Sequence, residues 1–115
     1  MVATMILSVV LAGVLCVVVH EGAHWLTAKL FGKTIKFEFA MGEIFGIAIV
    51  PRWTWKHPDL PRNKLAIVCY AGFVTEFVVA ALLALIFKWY YMLVIAVIHF
   101  IAYQLYAGDA SDFKF

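Results

Sequence analysis

The stretch Val14-Leu15-Cys16-Val17-Val18-Val19-His20-Glu21-Gly22-Ala23-His24-Trp25-Leu26-Thr27-Ala28-Lys29-Leu30 decides how this chain is read. From Met1 to Val19 no side chain is charged, and the next basic residue beyond His24 is Lys29. An apolar run of this length has the dimensions of a membrane-spanning helix, for which about 20 residues suffice. It nevertheless carries a carboxylate and two imidazoles, and an acid at the bilayer centre costs roughly 2.5 kcal/mol or more. The spacing His-Glu-x-x-His suggests what offsets that cost. On an α-helix, residues i and i+4 stand about 40° apart and one turn along the axis, so His20 and His24 can grip one metal ion. Glu21 is then placed to take a proton from a metal-bound water. Patterns of this kind also arise by chance on solvated helices, where they carry no penalty. A lipid-bounded helix keeps them only against protein, water or a metal. A metal site at His20 and His24 is therefore expected.

The composition points to the same setting. Of 115 residues, 66% are apolar and 14% charged, against about half and a quarter in soluble domains. The expected fold is an α-helical integral membrane protein, one domain over residues 1–115, with three transmembrane helices at about residues 5–30, 65–87 and 89–107. The first run is too long for a secretory signal and lacks its basic leading region. A net charge of +2 implies no nucleic-acid partner. Lys29, Lys33, Lys36, Arg52, Lys56, Arg62 and Lys64 lie between the first two spans, and only Lys88 lies between the last two. The positive-inside rule then predicts the N-terminus outside, with the loop 31–64 and the C-terminus in the cytoplasm. Phe87-Lys88-Trp89-Tyr90-Tyr91 reads as an aromatic belt at the outer interface. Cys16 and Cys69 read as small buried apolar residues, since neither has a partner at metal-ligand spacing.

Between the first two spans the period changes. Ile35, Phe37, Phe39 and Met41 alternate with Thr34, Lys36, Glu38 and Ala40, the rhythm of a half-buried strand, and Ile44 to Val50 is a second apolar run. A β-hairpin over about residues 33–50 is predicted. Pro51 should close it, leaving Trp53, Trp55, His57, Pro58 and Pro61 in an irregular, interface-seeking loop. A strand edge there can either pair with an extended peptide or simply cover the helices.

A catalytic zinc usually has three protein ligands and an open position. Glu76, His99, Asp109 and Asp112 are candidates for the third. At ~1.5 Å per residue, His24 lies about 7 Å and His20 about 13 Å from Lys29, in the cytoplasmic half. Asp109 and Asp112 follow the third span on that same side. Counted from the outer turn, Glu76 is about 18 Å from Lys88 and His99 about 15 Å from Trp89. They are expected deeper, as a structural hydrogen-bonded pair on adjacent helices.

These residues carry a resemblance. The run from His20 to Gly32 is similar to the metal-binding helix of the site-2 protease family of intramembrane zinc metalloproteases. Ala71-Gly72-Phe73-Val74-Thr75-Glu76 resembles that family's Ala-Gly-Pro-x-x-Asn signature, with Phe73 for proline and Glu76 for asparagine. In the family's last core helix an asparagine stands eight residues before the aspartate that completes the zinc site. Here Gln104 stands eight before Asp112, which selects Asp112 over Asp109. Phe113 follows in place of the usual glycine. The resemblance is to a minimal three-span core without an inserted peptide-binding module.

It implies one Zn²⁺ held by His20, His24 and Asp112, Glu21 as the catalytic base, and Gln104 as a substrate-positioning residue. The implied partners are the lipid bilayer and a transmembrane protein substrate cleaved near the cytoplasmic face, with an oligomer left open. The departures in the second and third motifs motivate one alternative, a catalytically silent relative that binds or assembles membrane proteins. Glu76 and His99 motivate another, a small metal or proton carrier, which three spans have little room to build.

Overall fold

The computed structural model describes residues 1–44 and 47–106, with side chains described outside 40–54 and 105–106. Among the described residues three helices and two strands follow in the order α1 (Val2–Leu30), β1 (Phe37–Ile44), β2 (Ile47–Trp55), α2 (Arg62–Phe87) and α3 (Tyr90–Tyr106). The helices are apolar almost all round, so periodicity does not orient them; side-chain size does. On α1 the buried positions Ala12, Cys16, His20, His24 and Ala28 recur every fourth residue. On α2, Val68, Gly72, Glu76, Ala80 and Ala84 do the same. Small residues at that spacing form one stripe and let two backbones approach closely. Met92 and Ala96 continue the packing on α3.

The large apolar side chains point the other way. Val10, Val14 and Val18 on α1, Val74, Val78 and Leu82 on α2, and Val94, Val97 and Ile101 on α3 are all exposed. Among the described residues two helices, Val2–Leu30 and Arg62–Phe87, are long and apolar enough to cross a membrane, whereas α3, with 17 residues, is shorter than the third span expected. Among the described residues the interior has two apolar clusters. Ala12, Cys16, Ala80, Met92 and Ala96 form one, and Ala28, Ile35 and Val68 the other. The buried polar side chains His20, His24 and Glu76 occupy the levels between them on α1 and α2. Cys16 and Cys69 are both buried cysteine thiols.

Local sequence sets the ends of these elements. Gly32 takes φ +80, and the amides of Gly32 and Lys33 donate to the carbonyls of Lys29 and Ala28, both at 2.9 Å. This is the Schellman arrangement, and its left-handed position suits glycine. It turns the chain out of α1 and seats Ile35 beside Ala28 and Val68. Helix α2 begins at Arg62, three residues before its apolar run, because Pro61 supplies an extended N-cap (φ −54, ψ 149) that stops the helix growing backwards. At the far end Lys88 adopts φ 54, and Trp89 Nε1 donates to Ser8 Oγ at 2.7 Å, tying the start of α3 to α1.

Strands β1 and β2 pair antiparallel, from Phe37 opposite Trp55 to Ile44 opposite Ile47. The expected boundaries need correction at both ends. Residues 33–36 lie outside the strand, since the turn after Gly32 commits Ile35 to the helical core. Strand β2 runs through Pro51 to Trp55, where a loop was predicted. In a two-stranded sheet alternate amides point away from the partner, so a proline can occupy such a position without losing a ladder bond. Trp55 thereby joins Phe37 against the Ala28–Ile35–Val68 cluster, while His57 and Pro58 remain irregular.

Candidate metal centre

Helical spacing puts His20 and His24 on the buried stripe of α1, and both are closed off, at 1% and 0% exposure. Their second partners decide where their lone pairs lie. His24 Nδ1 is 2.8 Å from the Val68 carbonyl, which can only accept, so Nδ1 carries the hydrogen. His20 Nδ1 is 3.1 Å from Glu76 Oε1, and an ionised carboxylate likewise only accepts. Each ring is thus assigned the same tautomer, with an unprotonated Nε2. Those two nitrogens face each other at 3.0 Å. Two lone pairs aimed into one space repel unless a proton or cation lies between them. Two imidazole nitrogens sharing a tetrahedral zinc, each at ~2.0–2.1 Å, stand about 3.3 Å apart. The pair is within a few tenths of an ångström of that separation, so the donor set fits zinc.

Glycine on the neighbouring helix lets α2 come close to these nitrogens. A Cβ built at Gly72 would fall 2.5 Å from His24 Nε2 and 2.8 Å from both Nε2 and Cε1 of His20. Only hydrogen fits at this face of α2. Aromatic rings wall the remainder. Phe73 meets His20 edge-on at 4.3 Å between centroids, and Trp55 lies over His24 at 4.6 Å and 34°. Tyr103 approaches His20 at 6.0 Å. Glu21, about 100° round the helix from His20, lines a groove of ≈ 340 Å³ with Val17, Val18 and Phe37.

Glu76 and His99 are joined, with His99 Nδ1 2.8 Å from Oε1 and 2.9 Å from Oε2. Their expected depth is corrected: Glu76 is level with His20 and touches it. The two depth counts began at opposite membrane faces, so their relation depended on a thickness that the sequence does not state. The four-residue spacing of Gly72, Glu76 and Ala80 is the signal that places Glu76 on the α1-facing stripe. Potential ligand atoms of His20, Glu76 and His99 lie within 4.8 Å of one another. Glu76 holds the Nδ1 edge of His20, however, and in this arrangement cannot reach an ion on the Nε2 edge.

Gln104 is exposed and lines a second groove, of ≈ 480 Å³, with Tyr70, Phe73, Val74, Phe77 and Phe100. One residue earlier, about 100° round the helix, Tyr103 turns inward. Asp109 and Asp112 lie outside the described residues. Sequence reading missed Gly72, Phe73, Trp55 and Tyr103 as components of this centre, because contact between elements selects them.

Two histidines one turn apart, an intervening glutamate and Nε2 atoms that approach to 3.0 Å are the arrangement a zincin-type centre needs, here on a helical scaffold. The chain belongs to the family DUF3267, described as "Putative zincin peptidase", whose model matches residues 13–109. Comparison with curated proteins and with solved structures finds no match. Family membership supports a zinc metallopeptidase with zinc as its metal, without specifying the site-2 protease type.

Proposed function

We propose that this protein is an intramembrane zinc metallopeptidase of the site-2 protease type. Its reaction is hydrolysis of a peptide bond in or near a transmembrane segment of another membrane protein, close to the cytoplasmic face. The observation that carries this reading is the 3.0 Å approach of His20 and His24 Nε2 inside helices whose outward faces are large and apolar. His20 and His24, with Asp112 as third ligand, would hold the ion. Bound zinc supplies Lewis acidity, lowering the pKa of water and polarising a carbonyl.

Glu21 accepts the proton of the attacking water as the C–O bond forms. It returns that proton to the departing amine as the C–N bond breaks, leaving one new carboxyl group and one new amine. A helical substrate hides its carbonyls and must be unwound, and an outer edge of the β1–β2 pair offers backbone partners to the extended form. Gln104 lies on the α2–α3 groove, where it would contact substrate. The basic residues between α1 and α2 support a cytoplasmic loop 31–64 and C-terminus, with the N-terminus outside.

The test compares the parent with Glu21→Gln in nanodiscs, measuring zinc per chain and cleavage of a candidate transmembrane substrate. One zinc in both proteins with cleavage only by the parent is expected. Equal cleavage by both removes Glu21 from the mechanism, and a parent that takes up no zinc removes the peptidase.

A further inference from the structure

Glu76 is a carboxylate with 1% exposure on a helix apolar enough to cross a membrane. A group so costly to bury has to be compensated. Among the described residues the ion pairs involving it are with His20, at 3.1 Å, and His99, at 2.8 Å. A simple tie between α2 and α3 would need His99 alone. Instead Oε1 is shared between the two rings, and the second contact falls on the nitrogen of His20 opposite the one that faces His24.

We infer that Glu76 and His99 form an outer clamp on the metal ligand His20, setting its orientation and its donor strength. This rests on His20 and His24 being ligands. Glu76 accepts the Nδ1 hydrogen of His20, which fixes the tautomer that leaves Nε2 unprotonated. The carboxylate charge on the far edge of the ring makes that nitrogen a better donor. His99 works one step further out. Its Nδ1 lies within 2.9 Å of both carboxylate oxygens, so it keeps Glu76 from swinging away from His20. The His24 ring is oriented differently, by the backbone carbonyl of Val68 at 2.8 Å. The two ligands are therefore supported unequally, one by a neutral carbonyl on α2 and the other by a charge held between α2 and α3. Both Glu76 and His99 are positioning residues, acting through His20.

The test uses the full chain in detergent or nanodiscs. Zinc affinity is measured by competition with a chromogenic chelator, and ligand geometry by the visible absorption of the cobalt-substituted protein. Glu76→Gln keeps the shape and removes the charge. It is expected to weaken zinc binding about 10- to 100-fold and to shift the cobalt bands, with helix content unchanged. His99→Leu is expected to move both readouts the same way by less. The double variant should match Glu76→Gln within about twofold, because His99 acts only through Glu76.

Parental affinity in Glu76→Gln, or independent multiplying losses in the double variant, overturns the clamp. So does a second zinc per chain that Glu76→Gln abolishes, since the three side chains would then be a site of their own. His24→Ala lies outside the clamp and separates the two claims. If it retains zinc, the metal reading itself fails; if it loses zinc while Glu76→Gln binds normally, only the clamp fails. Should Glu76→Gln not fold, His99→Leu carries the test, its side chain being 26% exposed.

Discussion

Gly72→Ala puts the metal reading at greatest risk. The added methyl would sit 2.5 Å from His24 Nε2 and 2.8 Å from His20 Nε2, whereas unbonded heavy atoms settle at about 3.5 Å or more. The overlap is therefore about 1.0 Å and 0.7 Å against the two atoms proposed to hold the ion. Relief has two routes. The helices can part along the small-residue stripe, at a cost of about 1–3 kcal/mol for overpacking. Alternatively His24 can rotate, losing its bond to Val68, worth roughly 0.5–1.5 kcal/mol. Charged wholly to the site, 1–3 kcal/mol is about 5- to 150-fold in affinity. The methyl also occupies space beside the ion, so a loss of at least ~100-fold is expected, beyond the usual outer-sphere range. The assay is zinc per chain after purification, then chelator competition, with circular dichroism reporting the helices. Gly72→Ala with intact helices and parental zinc affinity would refute the placement of the ion between His20, His24 and α2.

Three further outcomes follow from the geometry. Trp55 stacks on His24, so loading cobalt should quench part of the tryptophan fluorescence, and Trp55→Phe should abolish that part; an unchanged quench would separate β2 from the centre. Ala80 is fully buried on the stripe, so Ala80→Leu should destabilise the protein by about 1–3 kcal/mol in detergent unfolding, and a neutral result would mean that α1 and α2 pack less closely than described. Lys88 holds φ 54, a conformation that costs a side-chain-bearing residue roughly 1–2 kcal/mol. Lys88→Gly should therefore raise the unfolding midpoint, and a fall would show that the lysine side chain contributes more than the backbone strain removes.

The distribution of size and polarity links these predictions. In water, burying large apolar side chains drives helices together. Here such side chains face outward, while alanine, glycine, cysteine and a few polar groups face inward. In lipid, association instead relies on close packing and interhelical hydrogen bonds. The His20–Glu76–His99 contacts bridge all three helices, so the residues proposed to hold and orient the metal also join the scaffold. Because the same contacts join the helices, helix content is monitored beside each zinc measurement to separate a loss of metal affinity from a loss of assembly.

Much of this was legible along the chain. Apolar length alone places α1 and α2, because helix geometry relates residue number to distance. The alternation at Ile35, Phe37, Phe39 and Met41 exposes a strand period, though not where the strand begins or ends. The His20–His24 pairing follows from the 3.6-residue turn, which is local and needs no partner. What pairs with those histidines was not legible. Glu76 reaches His20, Val68 turns the His24 ring, Gly72 makes room and Trp55 covers it, and each relation depends on how α1, α2 and β2 are registered side by side. Registry is a property of packed surfaces, summed over many weak contacts at once, and no spacing within a single helix encodes it. Local periodicity therefore singled out His20 and His24 as a candidate metal-binding pair, and tertiary packing decided which other residues surround and orient them.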